Sequence, residues 1–136
     1  MDTDALKQYF KKDLFAAHCA CELLDVAPGR AKAVMTVSDR HRNSLGMVHG
    51  GAIFTLADFV FAAASNAYGT AALAINVNIS FVTAPKTAKL YAEARQLSLH
   101  PKLASYTVDV TDEAGQLIAV FQGLVYRKKD PLPMDR

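Results

Sequence analysis

Asp58 is the only charged residue between His49 and Lys86. It lies within an apolar run, residues 50–67, whose composition is that of a helix buried on most of its faces. An ionised carboxylate in an apolar interior costs several kcal/mol unless it is paired, and no Arg or Lys lies one helical turn away. Asp58 is therefore a candidate base or nucleophile that faces a cleft. The alternative is a buried Asp that accepts hydrogen bonds from the backbone or from Thr55.

The segment His49-Gly50-Gly51 stands where this helix is expected to begin. Two glycines leave the first helical amides unobstructed, and the helix dipole adds positive potential there. Such a helix start can polarise a carbonyl oxygen in the manner of an oxyanion hole. A tight turn into a helix, with no chemical role, is the alternative.

Gly50 and Asp58 are eight residues apart in the sequence, which is about 12 Å along one helix axis. They cannot both contact one reacting carbon. Either only one of them acts, or two copies of the helix lie side by side and antiparallel, as a two-fold dimer provides. A catalytic role for both residues therefore predicts a dimer.

The elements around these residues are predicted from periodicity and turn residues. A short helix is expected over about residues 3–17, and the tail over about residues 129–136 is expected to fray. Alternating apolar residues predict six strands, at about 21–26, 30–38, 75–81, 90–95, 106–111 and 117–127. Short links favour antiparallel pairing, and the long helix is the only apolar partner for the sheet. The predicted fold is α+β, with an antiparallel sheet wrapped around one long central helix.

Composition narrows the class of protein. The chain has 136 residues, 51% of them hydrophobic and 21% charged, and a net charge of +2. These values predict one globular domain over residues 1–136 and give no sign of a nucleic-acid surface. No apolar stretch reaches the roughly 18 residues that a membrane span needs. Cys19 and Cys21 are expected to be reduced, no metal site is predicted, and the chain is expected to be soluble and cytoplasmic.

Residues 43–58, NSLGMVHGGAIFTLAD, strongly resemble the signature of the hotdog-fold acyl-CoA thioesterases. The best match is the phenylacetate-degradation branch, which is also called PaaI-like. The likeness extends from about residue 43 through residue 126 and includes segments 80–85 and 112–115. Five residues fall at the family's spacings: Asn43, His49, Gly50, Gly51 and Asp58.

This resemblance implies a mechanism and an assembly. Asp58 would be the nucleophile, or the base that directs water at the thioester carbonyl, and the Gly50 amide of the partner subunit would polarise that carbonyl. Asn43, also from the partner's side, would orient water or the thioester, and His49 would fix the loop and the helix start. The family dimerises by sheet extension and often forms tetramers. Coenzyme A would enter only as part of the substrate, with no other cofactor and no metal.

The acyl group is expected to be aryl or arylacetyl first and medium-chain fatty acyl second. Gly51 and Lys102 are the predicted substrate contacts. Lys102 is included because relatives often carry a Gly-Arg or Gly-Lys turn at this place. Cationic side chains near strand ends are the candidates for binding the coenzyme's phosphates, with surface charges as the alternative: Lys86, Arg95, Lys102, Arg127, Lys128 and Lys129.

Two residues depart from the family's pattern. Ala74 stands where relatives often carry Ser or Thr, and Asn76 stands where an acid is common. These departures favour a second hypothesis, a non-catalytic acyl-CoA binding or regulatory module. A third hypothesis is an acyl hydratase or dehydratase, in which His49 and Asp58 would transfer protons.

Overall fold

The computed structural model describes residues 2–134 and contains one six-stranded antiparallel sheet and three α-helices. The helices are α1 (Thr3–Phe10), α2 (Leu14–His18) and α3 (Gly50–Asn66), with a short 3₁₀ turn at Asp39–His41. The strands are β1 (Cys21–Ala27), β2 (Arg30–Thr36), β3 (Thr70–Phe81), β4 (Lys89–Leu99), β5 (Leu103–Asp112) and β6 (Leu117–Pro131). The predicted antiparallel sheet around a central helix is confirmed.

The strand order in the sheet is β1-β2-β4-β5-β6-β3, so β1 and β3 form the two edges. Along β2, the buried residues Ala31, Ala33 and Met35 alternate with more exposed ones. This alternation gives the sheet one apolar face, as period-two patterning requires. That face wraps around α3, which packs against all six strands.

The central helix is buried along most of its length because nearly all of its side chains are apolar. Its buried residues are Ala52, Ile53, Leu56, Ala57, Phe59, Val60, Phe61, Ala63, Ala64 and Ser65. The ring of Phe61 lies directly on Gly123 of β6. A Cβ atom at Gly123 would be 2.5 Å from Cζ of Phe61, so this glycine lets the helix approach the sheet closely.

The N-terminal segment differs from its prediction. One helix was expected over about residues 3–17, but the chain forms two, α1 and α2, with a break between them. Asp13 is the reason, because its side chain accepts a hydrogen bond of 3.0 Å from the Ala16 backbone N–H and so caps α2. Aspartate favours this capping position over a helix interior.

The C-terminal segment also differs from its prediction. Strand β6 continues to Pro131, so fraying does not begin near residue 129, and residues 135–136 of the predicted tail lie outside the described residues. Leu132 is buried, and its backbone N–H donates to the Gly69 carbonyl over 3.0 Å. This contact anchors the chain beside the end of α3. In the part of the chain that the structure describes, every helix is too short or too polar to cross a membrane.

Candidate active site

Asn43 organises the loop that leads into α3. Its side-chain Oδ1 accepts hydrogen bonds from the backbone N–H groups of Leu45 (2.9 Å) and Met47 (3.1 Å). Its own backbone N–H donates to the Met47 carbonyl over 2.8 Å, which closes a tight turn. With Oδ1 occupied, the side-chain NH₂ group is the part of Asn43 that can bind water or a carbonyl oxygen.

His49 caps the start of α3. Its Nδ1 accepts a hydrogen bond of 2.7 Å from the Gly51 N–H, and this acceptor role places the ring proton on Nε2. The Gly51 amide is therefore used inside the turn. Among the described residues, the Gly50 N–H has no hydrogen-bond acceptor, so it is the amide that the helix start leaves open.

A cleft of about 220 Å³ opens beside Gly50. Its walls are apolar, and they are formed by Met47, Val48, Ile53, Phe81, Val82, Thr83, Ala84 and Pro85 together with Gly50 itself. A Cβ atom on Gly50 would meet Cζ of Phe81 at 3.1 Å. The glycine therefore keeps the space between the helix start and this ring open for a ligand atom.

Asp58 lies half-buried near the middle of α3 and lines a second cleft, of about 200 Å³. The other lining residues are Asp13, Phe15, Ala16, Phe54, Thr55 and Phe59. Burial raises the pKa of the Asp58 carboxyl above its ordinary value, and the negative charge of Asp13 raises it further. A raised pKa in a cleft is the behaviour expected of a general base that works near neutral pH.

The structural alternative for Asp58 is not supported. Thr55, the neighbour that could have satisfied it, donates its hydroxyl to the Gly51 carbonyl over 2.8 Å. Within residues 2–134, the Asp58 side chain takes part in no hydrogen bond or ion pair. Its carboxylate oxygens are therefore available to water or to a ligand.

The predicted site residues fall into separate places within one chain. Asn43, His49, Gly50 and Gly51 come together at the start of α3, and Asp58 lies about two turns further along the same helix. The structure thus keeps Gly50 and Asp58 apart, as their spacing predicts. One chain therefore presents the predicted site residues as two separate groups.

Lys102 lies at the opposite end of the molecule from the start of α3. Its carbonyl accepts a hydrogen bond of 2.7 Å from the backbone N–H of Arg127. The Arg127 guanidinium stacks 5.1 Å from the ring centre of Tyr68, which follows the C-terminal end of α3. The exposed Lys102 side chain therefore lies far from Gly50 of its own chain, and its contact with substrate stays a prediction.

Strand β3 is an open edge of the sheet. It has no charged residue and no proline over its twelve residues. Charged residues and prolines are the features that usually protect an edge strand from pairing with another chain. Its apolar residues Leu73 and Ile75 are each 55% exposed. Ala74 and Asn76 flank a bulge in the pairing of β3 with β6, and both are exposed.

The sequence interpretation missed His41, which is 4% exposed. Its hydrogen bonds connect the loop that leads into α3 with the N-terminal segment. The backbone N–H of Ser38 donates to its Nδ1 over 2.9 Å, and its Nε2 bonds the Cys19 carbonyl over 2.7 Å. Its own carbonyl accepts the His49 N–H over 2.6 Å. Nothing in the polar segment around His41 indicates this burial.

The interpretation also missed Asp13, whose spacing from Asp58 in the sequence gives no hint that α2 folds onto α3. Groups of three or more His, Cys, Asp or Glu side chains that could hold a metal ion do not occur in the described range.

Comparisons with known proteins agree on one family. The sequence profile of the thioesterase superfamily matches residues 45–119. A protein of Archaeoglobus fulgidus that carries an esterase name is 39% identical over 96% of this chain and 86% of its own length. The acyl-coenzyme A thioesterase PaaI of Escherichia coli is 27% identical over 87% of this chain and 85% of its own length.

The solved structure of the E. coli PaaI protein, from the phenylacetic acid degradation operon, superposes with a TM-score of 0.88 and 25% identity. The superposition covers 95% of this chain and 97% of that one. This likeness confirms the predicted hotdog fold and the similarity to the PaaI-like branch.

Proposed function

The chain belongs to the thioesterase superfamily, and we propose that it hydrolyses the thioester of an acyl-CoA to a carboxylic acid and free coenzyme A. The observation that carries this proposal is the Asp58 carboxylate, half-buried on the central helix, without a hydrogen-bond partner among the described residues, and open to a cleft. Acyl-CoA thioesterases among the relatives support the substrate class.

Asp58 promotes hydrolysis of the thioester by one of two routes. As a general base it takes a proton from water, and the resulting hydroxide adds to the thioester carbonyl carbon. As a nucleophile it adds to that carbon directly, and water later hydrolyses the anhydride. In either route the carbon–sulfur bond breaks, and the coenzyme A thiolate leaves and takes up a proton. The raised pKa of Asp58 makes its carboxylate a stronger base than an exposed aspartate.

The negative charge that develops on the carbonyl oxygen needs a donor. The open N–H of Gly50 is suited to this task because it lies at the positive end of the α3 dipole. Asp58 and Gly50 of one chain are too far apart to share a substrate, so the donor is Gly50 of the partner subunit. The NH₂ group of Asn43 of the partner subunit then orients the water or the thioester.

The proposed dimer forms by pairing of β3 with β3 of a second copy, which continues the sheet across the two-fold axis. The open, uncharged edge of β3 supports this arrangement. In such a pair the two α3 helices run antiparallel, and each active site takes groups from both chains. Pairing of two dimers into a tetramer remains an expectation from the family.

His49 has a positioning role in this scheme, because its Nδ1 holds the Gly51 N–H and so fixes the direction of the Gly50 amide. Gly51 serves the same turn, since a Cβ atom there would lie 2.9 Å from Nδ1 of His49. Lys102 is proposed as a contact to the coenzyme's phosphates. Aryl or arylacetyl groups are the first expectation for the acyl part, with medium-chain fatty acyl groups second.

The second candidate function is a non-catalytic acyl-CoA binding module. It is favoured by Ala74, which offers no hydroxyl group where relatives often place one. If the chain is an enzyme, the water must be held by Asn43 or by a different hydroxyl.

Thiol release from a panel of acyl-CoAs tests the proposal. The panel contains phenylacetyl, hydroxyphenylacetyl, benzoyl, medium-chain and acetyl esters, and the proteins are the wild type, Asp58→Asn and Asp109→Asn. Asp109 is an exposed residue of β5, so its variant carries the same change of charge outside the Asp58 cleft. We expect release by the wild type and Asp109→Asn, and none by Asp58→Asn. Binding of the esters by the wild type without any release would instead support the binding module.

A further inference from the structure

The short helix α2 covers the Asp58 cleft, although it lies outside residues 45–119, where the superfamily profile matches. Its capping residue Asp13 is half-buried and uses Oδ1 to accept the Ala16 N–H over 3.0 Å. No hydrogen bond to the other carboxylate oxygen is present among the described residues. That oxygen is therefore not used by the helix cap, and its negative charge can act on the groups that line the cleft.

Asp13 and Asp58 are the only titratable residues that line this cleft in the described structure. Strand β1 and helix α1 pack nearby and bound an adjoining cavity of about 400 Å³, which shares Asp13 and Phe59 with the cleft. The other titratable groups of that cavity are Asp4, Lys7, Lys11, Cys21 and Glu22. Burial, with smaller effects of Cys19 and Asp13, raises the pKa of the Cys21 thiol to about 12, so it carries no charge near neutral pH.

The remaining elements that could bring a titratable group to Asp58 are α3 itself and the second subunit. Helix α3 has no titratable residue besides Asp58. In the proposed dimer, His49 of the partner subunit approaches the site with its Nδ1 already occupied. Asp13 is therefore the charged side chain of the same subunit that lines the cleft together with Asp58.

We propose that Asp13 is a positioning residue of the thioesterase site, which places a second carboxylate beside Asp58 and acts on the reaction through it. This inference rests on the proposed function. A second negative charge in the cleft disfavours ionisation of Asp58, so the Asp13 carboxylate, in addition to burial, makes Asp58 hold its proton to higher pH. The deprotonated Asp58 is then a stronger base, and the acid limb of the pH–rate profile lies at higher pH.

The variant Asp13→Asn separates charge from structure, because asparagine caps a helix as well as aspartate does. It can still accept the Ala16 N–H but carries no charge. Asp2→Asn is the matched control, since Asp2 caps α1 in the same way, through a 2.7 Å bond from the Ala5 N–H, and does not line the cleft. Asp13→Ala removes both the charge and the cap.

The first measurement is the pH dependence of kcat/KM for the best ester of the panel. We expect Asp13→Asn to shift the acid limb to lower pH while Asp2→Asn leaves it in place. Asp13→Ala should show the same shift together with a lower Tm, which Asp13→Asn does not share. An acid limb that is identical in the wild type and Asp13→Asn overturns the proposal, as does a shift of the same size in Asp2→Asn.

The second measurement separates this inference from the proposed function. The carboxyl carbon of Asp58 is titrated by ¹³C NMR in the wild type and in Asp13→Asn, with Asp58→Asn used to assign the signal. We expect the midpoint to be lower in Asp13→Asn, and an unchanged midpoint overturns the role of Asp13 even if hydrolysis occurs. If no ester is hydrolysed, the proposed function fails and the catalytic role of Asp13 fails with it, whatever the titration shows.

Discussion

The imidazole Nδ1 of His49 accepts a 2.7 Å hydrogen bond from the backbone N–H of Gly51. This single contact divides the first two amides of α3 between two tasks. The Gly51 N–H completes the cap, and the Gly50 N–H is left open. Since the ring proton must then lie on Nε2, the side of His49 that faces the backbone holds no proton to donate.

The first prediction concerns this cap. His49→Ala should lower the free energy of unfolding by about 1 kcal/mol, because the Gly51 N–H loses its acceptor. It should also lower kcat/KM, since the Gly50 amide is no longer held in one direction. Urea unfolding and thiol release measure the two effects.

His49→Asn is the matched variant, because asparagine is a good N-cap and cannot transfer protons as imidazole does. If capping is the role of His49, Asn recovers most of the stability and most of the activity that Ala loses. Recovery of stability without activity would show that the imidazole itself takes part in the reaction.

The second prediction concerns pH and stability. Burial and the charge of Asp13 raise the pKa of Asp58 in the folded state, so the folded protein binds more protons than the unfolded chain between the two pKa values. The contribution of Asp58 to stability is thus fully present below its unfolded pKa and is lost as pH rises through the folded pKa. Asp58→Asn should remove this loss, so we expect the variant to be at least as stable as the wild type at pH 7.

The measurement is the free energy of unfolding of both proteins from pH 3.5 to pH 8 by urea titration. The difference between the variant and the wild type should move in favour of the variant as pH rises. A difference that stays constant over this range would show that Asp58 ionises equally well in the folded and unfolded chains.

Much of the fold could be predicted from the sequence because its two strongest patterns are unambiguous. The apolar run around Asp58 is too long and too uniform for a strand, and the alternation from Ile75 to Phe81 has the period of a strand. The separation of Gly50 from Asp58 follows from helix geometry alone. These patterns locate the helix, the following strand and both groups of predicted site residues.

The remaining features depend on contacts between distant segments. Asp13 and His41 are ordinary polar residues in their local sequences, and only tertiary packing brings α2 onto α3 or buries the His41 ring between Ser38 and Cys19. The extension of β6 to Pro131 depends on its pairing with Thr70 at the start of β3. Local periodicity carries no information on such pairs.

The third prediction concerns the contact between the central helix and the sheet. Gly123→Ala places a Cβ atom where the Phe61 ring lies, and overpacking of this kind costs about 1 to 3 kcal/mol of stability. Phe61→Leu should relieve part of that cost, since a smaller side chain leaves room for the new methyl group. A double-mutant cycle by urea unfolding measures the coupling, and additive effects would contradict the contact.

The fourth prediction concerns the edge strand. Ile75→Lys places a charge in the bulge of β3, where the side chain is 55% exposed, and should prevent pairing of two β3 edges. We expect a monomer by light scattering and loss of thioester hydrolysis. The matched control is Leu24→Lys, at a 40% exposed residue in the bulge of the opposite edge strand β1. That variant should keep both the dimer and the activity, and an active Ile75→Lys monomer would refute a site shared between subunits.

The fifth prediction tests the sharing of the site directly. In Asp58→Asn both sites of a dimer lack the carboxylate, and in Gly50→Val both helix starts are blocked by a side chain that must displace Phe81. A mixed dimer of the two variants has one site with both residues intact if each site takes Asp58 from one chain and Gly50 from the other. Random mixing of equal amounts makes half of the dimers mixed, so the sample should recover about a quarter of the wild-type activity.

If each chain used its own Asp58 and Gly50, every site of every dimer would carry one damaged residue. Co-refolding of the two inactive variants, followed by thiol release, therefore distinguishes a shared site from two separate ones.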